Sequence, residues 1–425
     1  MKKIVMIVPN CLPIPAVKGG AVETLVTHII NENEKEKKVV LEIFSIADEL
    51  TDKDKNKYKY TNIHYIKVPI NKKLEKLKGK WNAFTSAVFK KNNIIEKCII
   101  YGVIKILNIN SKMYLKKILK FLKNMKYDYL IIEGGTLNDY HMTLRNIPYE
   151  KKIAHLHSRI KANNILVSDY KYFISVSEYV KKELIKDKRI KSQQVKVLEN
   201  CVDADDFNKK ITKEERVEIR NKYGIKENDI VLIYCGRTVK EKGIKELIEA
   251  YKMLNNNENI KLLIVGSSQF GNNVKTNYDK ELQNLSKDIS ENIIYTGFIH
   301  NKELYKMYQI ADISVVPSIC EEAFGLVIVE AMYNKLPIIT TKSGGIPEIV
   351  NNNCAYILDK NEELVINIKN SIEDLIENPQ KRNLMGENGY QIVQKYNTKE
   401  YYKNFIKIIQ EIENENRNNN ISKRS

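Results

Sequence analysis

Residues 313–350 read ISVVPSICEEAFGLVIVEAMYNKLPIITTKSGGIPEIV, and this stretch narrows the fold more than any count of residue types does. An apolar strand, Ile313 to Val316, stops at Pro317-Ser318; after a loop, Gly325 opens an apolar pattern at helical spacing through Leu326, Val329, Ala331 and Met332. A second strand, Pro337 to Thr340, follows, and Gly344-Gly345 begins another turn into helix. That is a βαβ unit, and repeated βαβ units build a parallel sheet covered by helices. The same rhythm predicts strands at Lys3 to Pro9, Val39 to Ile46, His64 to Ile70, Tyr129 to Glu133, Lys152 to His157, Tyr172 to Val176, Ile230 to Cys235, Leu262 to Gly266 and Asn292 to Thr296. At 425 residues the chain has room for two doubly wound α/β domains, each with a full core.

The chemistry lies where the strand at Ile313 hands over to its helix. Glu322 sits in the loop and Glu330 eight positions later, so they stand roughly 12 Å apart along a helix axis. A glycosidase-like carboxylate pair needs about 5 to 9.5 Å. These two acids suit the two ends of one long ligand instead. Between them, the N–H groups around Phe324, Gly325 and Leu326 form a helix start that favours phosphate. Hydroxyls at both ends and phosphate in the middle describe a nucleotide sugar.

Here the sequence resembles a family. Glu322-AFGLVIV-Glu330, followed by Ala331 and SGGIPEIV, resembles the E-x7-E signature of retaining glycosyltransferases of family 4, which have the GT-B fold. The resemblance implies that Glu322 contacts the donor sugar and that Glu330 holds the ribose hydroxyls. Gly236-Arg237-Thr-Val-Lys-Glu-Lys242-Gly243 resembles the family's GRxxxxKG loop. Arg237 as a fork and Lys242 as a point charge can converge there on one diphosphate. Gly19-Gly20-Ala21-Val22-Glu23 resembles the GGxE loop after the first strand, which implies donor-phosphate or acceptor contact. The loops after the strands ending at Gly266 and Gly297-Phe298 border the nucleotide base in the family. His157, at the end of its strand, matches a family histidine near the donor phosphate or the acceptor hydroxyl, and His155 competes with it for that role.

The resemblance implies two doubly wound, Rossmann-like parallel-sheet domains facing a central cleft. Expected boundaries are 1–205 for an acceptor-side domain with a basic insertion at about 71–126, 206–397 for a nucleotide-sugar domain, 398–413 for a terminal helix returning to the first domain, and 414–425 for a polar, disordered tail. VKVLENCVD at 195–203 departs from the family's VIPNGVD by Glu199 and Cys201. Asp203-Ala-Asp205 matches a D-x-D metal pattern, but its place at a domain connection favours plain turn chemistry, so neither metal nor cofactor is expected.

Charge marks the insertion. From Lys72 to Lys126 there are 15 lysines against Glu75 and Glu96, 15 − 2 = +13 of a net +17. Apolar residues interleave with those lysines at helical spacing, which suits either a helix on an anionic bilayer or a core helix with a solvated lysine face. Six scattered cysteines without a C-x-x-C pair predict neither zinc knuckle nor disulfide framework and suggest a reducing compartment. The sequence thus predicts a cytoplasmic enzyme, peripheral at the inner membrane face, that transfers sugar to a glycan or lipid-linked acceptor. Three readings compete: a GT-B nucleotide-sugar 2-epimerase, a glycogen-type phosphorylase needing a lysine-bound pyridoxal phosphate, and a non-enzymatic protein binding nucleic acid or another anionic surface. Without an RRM, KH or helix-turn-helix pattern, nucleic acid is not an expected partner.

Overall fold

The computed structural model describes residues 1–54, 57–68, 109–134, 147–159, 169–254, 257–267 and 276–421. Seven strands, β1 (Lys2–Ile7), β2 (Val39–Ile46), β3 (Thr61–Ile66), β4 (Tyr129–Glu133), β5 (Lys152–Leu156), β6 (Tyr172–Ser175) and β7 (Val195–Val197), form one sheet in the order β3-β2-β1-β4-β5-β6-β7. Six more, β8 (Ile230–Cys235), β9 (Ile260–Val265), β10 (Ile293–Gly297), β11 (Ile313–Val316), β12 (Ile338–Thr341) and β13 (Ala355–Leu358), form a second in the order β10-β9-β8-β11-β12-β13. The registers are parallel, as at Val5↔Leu130 and Ile233↔Leu263. Strands of a parallel sheet are buried on both faces, which is why IVLIYC, IKLLIV and ISVV read as unbroken apolar runs rather than alternating ones.

The chain divides into two compact units, residues 1–17, 33–155 and 164–172 in one and residues 18–32, 156–163 and 173–425 in the other. Helix α1 (Ala21–Glu36) follows the Gly-Gly turn, and helix α2 (Ile109–Leu122) carries the end of the basic insertion. On α2, Tyr114, Leu115 and Ile118 are buried, and the Tyr114 hydroxyl donates to Val8 O at 3.1 Å and Phe44 O at 2.8 Å. This stretch is a core helix whose lysines face solvent. Residues 69–108, the rest of the insertion, lie outside the described residues.

In the second unit, helix α3 (Ile244–Lys252) presents Ile244, Leu247, Ile248 and Tyr251 to the aliphatic face of β8, β9 and β11. Helices α4 (Leu304–Gln309) and α5 (Leu326–Tyr333) flank β11 in sequence. Strand order reverses between β8 and β11, so the loops at their carboxyl ends flank the switch point where open α/β sheets bind ligands. The terminal helix α6 runs Thr398–Ile421, past Glu413, where a disordered tail was expected. Glu413 and Arg417 pair across one turn at 2.6 Å, and Glu411 and Glu415 both reach Lys196, at 3.7 and 2.6 Å. Those pairs hold the polar turns helical where composition alone suggested disorder. Asp203 caps the short helix Ala204–Phe207, accepting from Asp205 N at 3.1 Å, so one acid of the D-x-D pattern serves as a turn residue.

Candidate active site

The loop after β8 is fixed from several sides. The buried Tyr234 hydroxyl donates to Arg237 O at 2.8 Å, Thr238 N donates to Ser267 O at 3.2 Å, and Thr238 Oγ1 donates to Asp279 at 2.7 Å. A Cβ on Gly266 would stand 1.9 Å from Gly236 O, so only glycine lets the loop after β9 lie against the one that carries Arg237. The loop after β11 is stitched to the same structure, because Glu241 O accepts from Ile319 N and Cys320 N at 3.0 and 3.1 Å.

Glu322 is held within that second loop. Its Oε1 lies 2.5 Å from Lys242 Nζ and 2.5 Å from Ser318 Oγ, which donates to it. Its backbone is supported from below: Gly345 N donates to Glu322 O at 2.9 Å, and Ser343 Oγ donates to Cys320 O. The neighbouring Glu321 turns to other partners, accepting from Gly344 N and pairing with Lys360, each at 2.5 Å. Partial burial works against ionisation of Glu321, but Lys360 and the Gly344 N–H hold its carboxyl below the usual range.

Gly325 caps α5, whose first turn leaves backbone N–H groups without helical partners. One turn further, Glu330 accepts a 2.8 Å hydrogen bond from the Tyr308 hydroxyl of α4. Burial pushes Glu330 up to about 7, with Tyr308 pulling the other way. Burial, reinforced by the Glu330 charge, pushes the Cys235 thiol up to about 12, so this cysteine is an unreactive wall residue.

These elements enclose a cavity of about 250 Å³ lined by Gly19, Gly20, Arg237, Gly266, Phe298, Leu326 and Glu330, with His28 and Cys235 among its walls. Seven of the twelve residues singled out from sequence therefore share one cavity. Lys242 and Glu322 form their ion pair beyond its lining, and Gly325 sits behind it as the cap of α5. Phe324 is buried edge-on against Tyr396, with ring centroids 5.6 Å apart, so its side chain is part of the core. His157, just past β5, is half-buried, whereas His155 is fully buried with Nδ1 2.8 Å from Glu133 Oε2. A roomier surface hollow of about 590 Å³ lies by Lys196 and Glu411. Of the lysines lining it, Lys196 is already paired with Glu411 and Glu415.

Sequence reasoning passed over Tyr308, Ser318, Glu321 and Lys360. The one available signal was chemical: a tyrosine on the apolar face of a helix needs a hydroxyl partner, and Tyr308 is such a residue.

Residues 215–392 match the family model described as glycosyl transferases group 1. The lipopolysaccharide 1,2-N-acetylglucosaminetransferase of Salmonella typhimurium is 29% identical over 250 residues, 58% of this chain and 60% of that one. Spore coat protein SA of Bacillus subtilis is 24% identical over 417 residues, 95% of each chain. The chain spans only about half to three fifths of the length of some of the curated relatives it matches. Among solved structures, Anabaena HepE in complex with UDP and glucose superposes with a TM-score of 0.69 over 96% of this chain and 99% of that one, at 18% identity, a likeness of fold. Residues 215–392 thus resemble the group 1 glycosyl transferases, and the two parallel sheets give the chain the GT-B fold.

Proposed function

We propose that the protein is a retaining, hexosyltransferase-type glycosyltransferase of family 4, taking sugar from a nucleoside-diphosphate sugar, with UDP-sugar favoured. The acceptor hydroxyl belongs to a glycan or lipid-linked acceptor in surface-polysaccharide or glycoconjugate synthesis. The observation that carries this reading is the cavity gathering the Gly-Gly turn, Arg237, the first turn of α5 and Glu330. At about 250 Å³ it falls below the usual range for a whole ligand, about 300–1,000 Å³, so it suits the nucleotide part while the sugar extends toward Glu322. The relatives support the acceptor class, since one is a lipopolysaccharide sugar transferase and another a Staphylococcus aureus capsular polysaccharide glycosyltransferase. The Anabaena complexes with UDP and with UDP-glucose support the donor class.

In the proposed reaction the bond from the sugar's anomeric carbon to the diphosphate oxygen breaks. A bond from that carbon to the acceptor oxygen forms on the same face, and the acceptor's proton passes to the departing diphosphate. Negative charge grows on the diphosphate as the sugar becomes cationic. Arg237, Lys242 and the α5 N–H groups stabilise the anion, a role that calls for no bound metal in this reading. Glu322, steadied by Ser318 and Lys242, orients the sugar; Glu330 holds the ribose; His157 faces the phosphate or the acceptor hydroxyl. Among the described residues no helix is long and apolar enough to cross a membrane. We place the enzyme in the cytoplasm, peripheral at the inner membrane face, on the strength of the +13 balance of 72–126.

The test is release of nucleotide from UDP-, GDP- and ADP-sugars, with thermal melting against the free nucleotides. A ligand at 100 times its Kd stabilises by about 2.7 kcal/mol, well within reach of the assay. Arg237→Ala and Glu322→Gln are each expected to lower turnover by about 10²-fold or more. Both variants working at the wild-type rate refutes the reading, and free epimerised sugar without acceptor indicates the epimerase instead.

A further inference from the structure

We propose that Tyr308 is a positioning residue acting through Glu330, and that the pair makes nucleotide binding release a proton, Glu330 ionising as two ribose hydroxyls reach it. The inference rests on the reading of the cavity as a nucleotide site. Its geometry is specific. Tyr308 is fully buried, and its hydroxyl reaches Glu330 Oε2 at 2.8 Å and Val327 O at 3.4 Å, with the Cys235 thiol also beside it. The shorter contact fixes one carboxylate oxygen of a residue that lines the cavity. Among the described residues no lysine or arginine pairs with Glu330; the acid is held by burial and one phenol.

Burial lifts the Glu330 carboxyl to about 7, so near neutral pH it holds its proton about half of the time. A ribose diol presents two O–H donors, and only the ionised carboxylate accepts both with full charge assistance. Binding therefore selects the ionised form, and affinity scales with its fraction. Raising the pH from 6 to 8 takes that fraction from about one tenth to about nine tenths, a roughly tenfold gain in affinity. The other groups around the cavity are Lys18 beside the Gly-Gly turn, His28 on α1, Asp203 and Asp206 at the helix that follows β7, and Cys235 and Arg237 at the end of β8. Among them, burial lowers the His28 imidazole against the pull of Asp203, Asp206 and Glu32.

The experiment titrates UDP into the full-length protein by calorimetry, in phosphate and in Tris, from pH 6 to 9. Because UDP and His28 can themselves exchange protons, the readout is the difference between wild type and Glu330→Gln. The expected difference is release of about half a proton at pH 7 and close to none at pH 9, with the tenfold affinity gain present only in wild type. Tyr308→Phe removes the phenol that favours the ionised acid. Its binding profile is expected to move up by about one pH unit, with affinity recovered near pH 9. Loss of affinity by the same factor at every pH in Tyr308→Phe overturns the positioning role. Equal proton counts in wild type and Glu330→Gln overturn the coupling while leaving the nucleotide site intact. Absence of UDP binding at every pH removes the site reading and this inference together.

Discussion

Gly344→Ala tests whether the turn after β12 sets the position of Glu322. A Cβ at Gly344 would stand 2.0 Å from Glu322 O, 2.8 Å from Glu322 N and 2.9 Å from Glu322 C. Side-chain carbons essentially never come nearer than 3.0 Å, so backbone must yield by about 3.0 − 2.0 = 1.0 Å. Backbone yields where it is least tied. Glu322 O is bound to the next residue, Gly345, whose own Cβ would lie 2.6 Å from Ala323 O, so the two loops have almost no slack between them. Gly344 also has φ +54, which an alanine adopts at a cost of about 1–2 kcal/mol. The strain reaches the carboxylate through its backbone and disturbs the contacts to Lys242 and Ser318. A displacement of about 1 Å at a reacting group costs on the order of 10²-fold in rate. On the proposed function, turnover of nucleotide sugar is thus expected to fall about a hundredfold, while UDP affinity, which that reading assigns to the cavity around Arg237 and Glu330, changes less than threefold. Steady-state release of UDP, paired with UDP calorimetry, reads both quantities. A variant with wild-type turnover shows that Glu322 need not sit where this loop holds it. Equal losses in turnover and UDP affinity show instead that the substitution collapses the whole site.

Two further changes separate function from stability. The Glu330 carboxyl is raised from 4.5 in the unfolded chain to about 7, so folding favours its protonated form and it costs stability as pH climbs from about 4.5 to 7. Glu330→Gln is expected to raise stability by about 1–2 kcal/mol at pH 8, discounted because the residue opens on the cavity, and to change nothing near pH 4; melting curves at both pH values check it. Arg220 is buried at 2% exposure and donates to Ile310 O at 3.0 Å, Lys226 O at 2.9 Å and Asp229 O at 2.6 Å. Arg220→Met strands these carbonyls at a cost of about 3–5 kcal/mol, read as a lower urea midpoint, and a loss under 1 kcal/mol contradicts the account.

What could be read from the sequence and what could not divide along a physical line. Strands β8, β9 and β11 announced themselves because burial on both faces leaves a chain of aliphatic residues with no polar interruption. Arg237 and Glu330 stood out as a cation on a Gly-bounded turn and an acid on a helix, whereas Gly266 was named only by the family resemblance, and its need for close backbone approach shows only in the fold. Tyr308 was silent because its partner lies 22 residues away on another helix. The terminal helix outran its expected end because Lys196, more than 200 residues earlier, clamps Glu411 and Glu415. Glu321 and Glu322 make the division sharpest. Two adjacent glutamates in one loop are chemically identical in sequence, and a motif spacing names one of them without saying what the other does. Tertiary structure gives them opposite duties. Glu321 pairs with Lys360 and Gly344 N and so anchors the loop, while Glu322 shares Oε1 between Lys242 and Ser318 beside the loop that follows β8. The glutamate that meets Lys242 and Ser318 sits against a glycine 22 positions downstream, Gly344, where a Cβ would stand 2.0 Å from Glu322 O.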